Sequence, residues 1–508
     1  MAVQHLDGIP ALDHEACYRV LRARDARFDG RLFVGVTSTG VYCRPVCPAN
    51  PAKLENCRFF PSAAAAHEAG FRPCLRCRPE TAPDLGSWRG SSNTVARGLE
   101  LIASGELDGE EASVERLSER LGIGERQLRR LFEQHLGASP IAVAQTRRVL
   151  FAKGLIHDTH LSMAEIALAS GFGSVRRFNE TFQALYGRPP SALRRSKAGA
   201  MSPERAAVEG VTVRLRYRPP FDWSTLLRHL DVRAVEGVEQ ADERAYRRSV
   251  REGDALGSVE IAHDAESQSL VATIRFPNVR ALSSIVGRIR RVFDLGADVS
   301  QIGAELAKDP LLSPLIAARP GLRTPGAWDG FELAVRAVLG QQISVEAARK
   351  LAGQLTRAYG VALTGPHPRG VERAFPTPLS LATAELGELK MPGARKEALR
   401  ALARATLEDP TLFQPLASVD DTVARLCRIR GIGEWTAHYI ALRAVREPDA
   451  FPASDAGLLR AARENGRTPT PAELARRSER WRPFRAYAAQ HLWTADSSEP
   501  PVTRRKAS

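Results

Sequence analysis

No stretch of this chain offers the roughly 20 consecutive apolar residues that a membrane-spanning helix needs. Its opening residues, MAVQHLDGIPALDHEACYRV, lack the basic segment and apolar run of a secretory leader. A cytoplasmic location is therefore expected. Cysteine is scarce, with seven in 508 residues, too few for a disulfide-stapled scaffold. Five of the seven, Cys43, Cys47, Cys57, Cys74 and Cys77, crowd together near the start, while Cys17 and Cys427 stand apart. A local cluster of this kind reads as metal binding or thiol chemistry before disulfides. No lone basic tail accounts for the formal net charge of +14, because arginine is spread along the whole chain. That distribution favours a polyanionic partner, nucleic acid first, over the alternative of a merely solvated basic surface.

A hydrophobic fraction of 44% allows three or four domains of about 150 residues each to bury a core. Three stretches rich in Gly, Ser, Pro or charge divide the sequence: residues 79–93, residues 194–210, and the polar tail after Thr494. Between the first two, ERLSERLGIGERQLRRLFEQHLGASP and AEIALASGFGSVRRFNETFQALYGRPP superpose at a spacing of about 50 residues, an internal repeat of helical pattern. Beyond Gly210, segments such as VTVRLRYR and SLVATIRF alternate or run β-branched, so residues 211–276 read as a small α+β unit. From about Ser283 the pattern is helical to the end, with stops at Asp409-Pro410 and at Gly431-Ile432-Gly433.

Cys43-x3-Cys47 and Cys74-x2-Cys77 supply two close pairs separated by a loop, the usual way for one tetrahedral zinc ion to collect four thiolates. On spacing alone, a closed site that only holds a small domain together remains open. The surrounding sequence, DGRLFVGVTSTGVYCRPVCPANPAKLENCRFFPSAAAAHEAGFRPCLRCRPE, closely resembles the methyl-acceptor domain of the Ada family across roughly the first 80 residues. The resemblance implies that Cys43, first in the Cys-Arg-Pro-x-Cys motif, takes a methyl group from a DNA methylphosphotriester. Zinc keeps bound thiols deprotonated, and the thiolate is the form that attacks a methyl carbon. Four thiolates on Zn²⁺ carry a charge of −2, which falls to −1 when one becomes a thioether. Cys57 lies outside the family's ligand set and reads as a small core residue.

Residues 114–136 have the form helix, glycine-containing turn, helix. Leu117, Leu121, Leu128, Leu131 and Phe132 share an apolar face, and Arg126, Arg129 and Arg130 lie off it. In the second copy Ile166, Phe172, Phe178 and Phe182 fall on the core side, while Ser174, Arg176, Arg177 and Asn179 sit near the start of the second helix, where base edges or phosphates are reached. ASGFGSVRRFNETFQALYGRPPSALR resembles the AraC-type regulators, also the central module of the Ada family. That likeness implies promoter binding and transcriptional activation, with RNA polymerase as a further partner; a simple DNA tether is the blander alternative.

Residues 426–437, LCRIRGIGEWTA, read as helix, tight Gly-x-Gly hairpin, helix. Gly431 and Gly433 would let the backbone approach a phosphate and point amide groups at it. About twenty residues on, Phe-Pro-Ala-Ser-Asp ends in Asp455, and the combination resembles the helix-hairpin-helix glycosylase superfamily. RYRPPFDWSTLLRHLDVRAVEGVE, RPGLRTPGAWDGFELAVRAVLGQQISVEAARKLA and SERWRPFRAYAAQHLW extend the likeness to the AlkA family of 3-methyladenine DNA glycosylases, over nearly all of residues 211–494. The resemblance implies Asp455 as the catalytic carboxylate, Trp435, Tyr439 and Trp493 as the aromatic walls of a pocket for a flipped base, and Gln342 in the place of a wedge that fills the gap in the stack. From the residues alone Asp455 reads as a helix N-cap, a role compatible with catalysis, and the three rings read as core before pocket.

Departures from the family are as informative. Glu434, Trp435 and Thr436 stand where lyase members carry a Schiff-base lysine, so strand cleavage is not expected. The last half of the chain has only Cys427, too few thiolates for an iron–sulfur cluster. His229 and Ala456 replace aromatic residues near the pocket, and no Pro-Cys-His-Arg motif exists, which argues against an O6-methylguanine acceptor domain. The expected fold class is multidomain α+β. It comprises a small zinc-binding α+β domain at 1–85, an all-α tandem helix-turn-helix at 94–196, a small α+β domain at 210–282 and an all-α helix-hairpin-helix glycosylase domain at 283–496. The expected function is alkylated-base excision joined to a methylation-driven regulator acting on double-stranded DNA, both alkylated and promoter. A regulator whose glycosylase half is only a DNA-binding scaffold, and a glycosylase whose zinc domain is only structural, are the competing readings.

Overall fold

A computed structural model describes residues 13–83, 93–103, 105–108, 113–194, 210–416 and 418–496. The breaks expected at residue 85, within 195–209 and after residue 496 lie outside the described residues. Two short strands, Val41–Cys43 and Arg72–Pro73, lie side by side and parallel in a four-stranded sheet completed by Phe33–Val36 and Cys57–Phe60. Because Tyr42 pairs with Pro73, Cys43, the last residue of its strand, and Cys74, the residue after the other, lie at the same end of the sheet. Topology thus brings together two cysteine pairs that are distant in sequence.

The internal repeat folds as two helix-turn-helix units. Val114–Arg120 and Glu125–Leu136 form the first, and Met163–Ala169 and Val175–Tyr186 the second. Serines open three of the four helices: Ser113, Ser162 and Ser174 each accept an amide hydrogen bond of the first turn, and Ser162 with Glu165 completes a capping box. Both second helices stop at a left-handed glycine, Gly137 and Gly187. Leu117, Leu121, Leu128 and Phe132 are buried as expected, as are Ile166, Phe178 and Phe182, while Leu131 and Phe172 sit at the margins of their cores.

The long helix Pro140–Asp158 links the two units. Its apolar residues face several directions at once, and a helix without one polar face is surrounded by protein. Val149, Ala152, Leu155 and Ile156 join Phe178 and Phe182 in a core that continues into the next unit. There a five-stranded antiparallel sheet runs in the order Val211–Arg216, Ser269–Arg275, Ala255–Asp264, Ala245–Glu252, Glu239–Ala241. The same core takes in Val213, Leu215, Ile274 and, from helix Leu282–Val292, Ile285 and Ile289. Regulator-like and glycosylase-like halves therefore share one apolar interior.

The remainder is helical apart from a two-residue antiparallel pair, Val361–Ala362 with Arg373–Ala374, which the sequence pattern did not show. Helices Gly330–Leu339 and Val345–Tyr359 face helices Gly393–Glu408 and Glu434–Ile440 around a second core containing Ala334, Val338, Leu399 and Ile440. Among the described residues no helix is long and apolar enough to cross a membrane.

Candidate functional site

The Sγ atoms of Cys43, Cys47, Cys74 and Cys77 lie within 4.8 Å of one another. Four soft thiolate donors at that separation fit a tetrahedral zinc ion. The four are not equivalent. Cys74 Sγ accepts the amides of Arg76 (3.3 Å) and Cys77 (3.5 Å), Cys77 Sγ accepts the Arg44 amide (3.4 Å), and Cys47 accepts that of Ala49. Among the described residues no backbone amide reaches Cys43, which is also the least buried of the set. Amide donors withdraw electron density from the sulfurs that accept them, a withdrawal that Cys43 is spared. Its neighbour Arg44 is buried in an ion pair with Asp29 and also donates to Cys77 O at 3.2 Å and Thr81 Oγ1 at 2.6 Å, which braces the second cysteine loop. Cys57 stays outside the cluster, buried on the strand, its thiol pushed up by burial.

On the helix-turn-helix units, Arg126, Arg129 and Arg130 of the first and Arg176, Arg177 and Asn179 of the second are all exposed. Arg129 pairs with Glu125, and Arg176 Nε with Glu180 at 2.8 Å, each across one helical turn. Such exposed pairs are weakened by solvent screening and are readily exchanged for a phosphate.

A cleft of about 900 Å³ opens in the second half of the chain, with Asp455, Trp435, Tyr439, Trp493 and His229 among its walls. Asp455 caps helix Ala456–Ala461: Oδ1 accepts the amides of Gly457 (2.9 Å) and Leu458 (3.0 Å). Its carboxylate also accepts two indole N–H groups, Trp493 Nε1 on Oδ1 at 2.8 Å and Trp435 Nε1 on Oδ2 at 2.9 Å. The cap and the cleft carboxylate are thus one group. Trp435 and Tyr439, one turn apart, stack with centroids 5.6 Å apart and planes 9° from parallel, and Tyr439 meets Trp493 edge-on at 6.2 Å. Sequence reasoning brought these rings together as stacking walls but missed the two indole donors.

It also missed Arg443, the next residue at the spacing of four that begins at Trp435 and Tyr439. The helix passes there into a π-helical turn, Ala441–Val445. The Arg443 guanidinium lies 5.1 Å from the Trp493 centroid and 5.8 Å from that of Tyr439, donates to Pro325 O and Gln490 Oε1, and burial brings it down to about 10. Burial would raise the Tyr439 phenol, but Arg443, Arg233 and Arg336 outweigh it and hold the phenol below its usual range. Burial and the same three arginines keep the His229 imidazole well below its ordinary range, hence neutral at pH 7.

At the hairpin, Gly431 has φ of +89°, and a Cβ there would lie 2.3 Å from that of Ala398, so only glycine fits. Gly433 precedes helix Glu434–Ile440 with open space around it, leaving the first-turn amides free to meet an anion. Gln341, unremarked in the sequence, ties the opposite loop to this hairpin by donating to Gly431 O at 2.9 Å and Thr436 Oγ1 at 3.2 Å. Beside it Gln342 is exposed at the tip of the loop with φ of +59°, a left-handed conformation unusual for a side-chain-bearing residue.

Comparison with known proteins matches every one of these units. Residues 16–80 match the metal binding domain of Ada, residues 117–196 a helix-turn-helix domain, residues 212–329 the AlkA N-terminal domain, and residues 335–484 the HhH-GPD superfamily of base excision DNA repair proteins. A probable bifunctional transcriptional activator/DNA repair enzyme AlkA of Mycobacterium tuberculosis is 41% identical over 496 residues, covering 97% of this chain and 98% of the relative. DNA-3-methyladenine glycosylase 2 of Escherichia coli is 37% identical over 289 residues, 56% of this chain and 98% of the relative. The solved 3-methyladenine DNA-glycosylase from Archaeoglobus fulgidus, with TM-score 0.50 and 20% identity over 56% of this chain and 98% of its own, shares the fold.

Proposed function

The chain belongs to the family of bifunctional transcriptional activator/DNA repair enzymes of the AlkA type, and from that membership we propose that it releases 3-methyladenine-type bases from DNA and takes methyl groups from DNA methylphosphotriesters onto Cys43. It carries an AlkA-type glycosylase and an Ada-like zinc domain on one chain. The observation that carries the excision reading is the Asp455 carboxylate, held at the cleft wall by Trp435 and Trp493.

A base swung out of the duplex enters between the aromatic walls, where stacking on a cationic alkylated ring gains roughly 0.5–2 kcal/mol per face. As the glycosidic bond breaks, positive charge grows on the sugar. Asp455, fixed by two amides and two indoles, stabilises that charge without reorganising and orients the attacking water. The alkylated purine leaves as a neutral base, so no second carboxyl acid is required. With Glu434 and Trp435 in place of a hairpin lysine, no Schiff base forms and the strand stays intact. Gly431 and Gly433 hold the backbone of the DNA, and Gln342 fills the vacated stack.

Cys43, Cys47, Cys74 and Cys77 would hold a zinc ion, which would keep their thiols in the thiolate form. The Cys43 sulfur attacks the methyl carbon of the phosphotriester, the carbon–oxygen bond breaks, and the phosphodiester leaves as an anion. Loss of one negative charge from the cluster reduces its repulsion of DNA. For one phosphate at about 10 Å this is only about 0.4 kcal/mol in water, but several phosphates within a screening length bring it to the order of 1–2 kcal/mol. Arg129, Arg176 and Arg177 grip promoter DNA, and RNA polymerase is the partner that activation requires. The four units are drawn at 1–85, 94–196, 210–282 and 283–496, and the protein works in the cytoplasm.

The test is DNA carrying radiolabelled methyl groups. Label is expected both on protein and as free base, with Asp455→Asn abolishing base release and Cys43→Ala abolishing protein labelling. Label that stays wholly on DNA overturns the repair reading. Label found only as free base leaves a glycosylase with a structural zinc domain.

A further inference from the structure

Helix Pro140–Asp158 connects the two helix-turn-helix units, and the zinc-bearing domain grips it at three points. Thr146 Oγ1 lies 3.0 Å from His67 Nδ1. Asp158 accepts Arg78 Nη2 on both oxygens, at 2.9 and 3.0 Å. Between them Lys153, with none of its surface exposed, donates its ammonium to the carbonyl oxygen of Cys74 and to Glu80 Oε2, both at 2.7 Å. Arg78 Nε in turn holds the other oxygen of Glu80 at 2.9 Å. All three residues of this inner clamp, Cys74, Arg78 and Glu80, belong to the ligand loop that carries Cys74 and Cys77.

A fully buried lysine is an unfavourable way to fill space, since an apolar side chain of similar length packs there without a desolvation penalty. Here the ammonium is spent on the backbone of a metal ligand and on the carboxylate of the same loop. We propose that Lys153 is a positioning residue that locks the zinc-ligand loop to the helix shared by both DNA-reading units, so that the charge lost at Cys43 on methylation is felt by DNA held in those units. The inference rests on the reading of Cys43 as methyl acceptor. With the clamp in place, the thiolate cluster stands at a fixed distance from the bound phosphates, and the drop in its charge acts in full on affinity. With the clamp gone, the loop swings away from the phosphates and the affinities before and after methylation converge.

The experiment uses full-length zinc-loaded protein and compares its affinity for a 30-base-pair duplex, at one fixed low salt concentration, before and after reaction with methylphosphotriester DNA. The variant is Lys153→Met/Glu80→Gln, which removes the ammonium without leaving a buried carboxylate unpaired. Expected are one zinc per chain, a wild-type melting temperature and wild-type labelling of Cys43, with the affinity gain reduced from tens-fold to under about threefold. Lys153→Arg retains the gain. If the double variant does not fold, Arg78→Gln/Asp158→Asn, which opens the more exposed part of the same clamp, is expected to reduce the gain at unchanged zinc content. An unchanged gain in a folded variant, or a variant that loses its zinc, overturns the proposal. Wild-type protein that takes the label without gaining affinity overturns the switch and this inference together, and wild-type protein that takes no label overturns the acceptor reading itself.

Discussion

The indole nitrogen of Trp493 donates to Oδ1 of Asp455 at 2.8 Å, the same oxygen that caps helix Ala456–Ala461. A residue assigned to the pocket for its flat face thus also restrains the carboxylate proposed to carry the chemistry. Trp493→Phe keeps the face and deletes the donor. A hydrogen bond to a charged group contributes about 1.5–3 kcal/mol, so base release is expected to slow by roughly 10- to 100-fold in kcat, with little change in KM. Single-turnover release of 3-methyladenine measures it. A loss confined to KM would assign Trp493 to stacking alone.

What the sequence made legible was local. Cysteine spacing, the repeated helix-turn-helix pattern and the glycine hairpin are each carried by a short run of residues, and each is present in the fold. What escaped was tertiary. The bonds of Trp435 and Trp493 to Asp455 join three separate segments, and no periodicity encodes them. Arg443 was within reach, four residues beyond Tyr439 on the face that begins with Trp435, but its polarity hid it among core positions. Lys153 was hidden for the same reason. The shared core was unreadable because Phe178 and Phe182 satisfy the helix pattern whether they pack only on their own unit or also against Val213 and Ile289.

That shared core has a consequence for stability. Phe182 is fully buried and contacts Phe178 with ring centroids 4.8 Å apart. Phe182→Ala is expected to destabilise the protein by about 3–5 kcal/mol through lost transfer energy and the cavity left behind. Since the same interior reaches the antiparallel sheet, the loss should appear in the unfolding of both halves. Calorimetry would show one transition moving down as a whole. A separate, unshifted transition for the glycosylase half would mean that the interface is not cooperative.

Stability should also fall in mild acid. Burial, aided by Arg78, holds His157 at about 4, and burial likewise holds His491 at about 4. Both are therefore neutral in the folded protein at a pH where the unfolded chain has begun to take up protons. With the folded value below the unfolded one, near 6.5, stability is complete above that pH and declines as pH falls from about 6.5 toward 4, by at most about 1.4 kcal/mol per unit for each group. Melting temperature measured across this range should drop, and His491→Gln should flatten the curve. Acid release of zinc affects both proteins equally, so the difference between the two curves isolates His491.

The second helix of the second helix-turn-helix unit, Val175–Tyr186, presents Arg176 with 88% of its side chain exposed, and Arg177 beside it is exposed as well. Their number and position fit contacts to phosphates, each of which releases counterions and contributes a slope near −0.9 to log K against log salt. Arg176→Ala/Arg177→Ala should therefore weaken binding to unrelated duplexes about equally and reduce the salt slope by roughly two. Neither residue is buried, so the fold and the cleft at Asp455 should be unaffected, and base release at saturating DNA should match the parent. A change in sequence preference with the slope intact would move these arginines from phosphates to base edges. An unchanged slope and unchanged affinity would take this helix out of the DNA interface altogether.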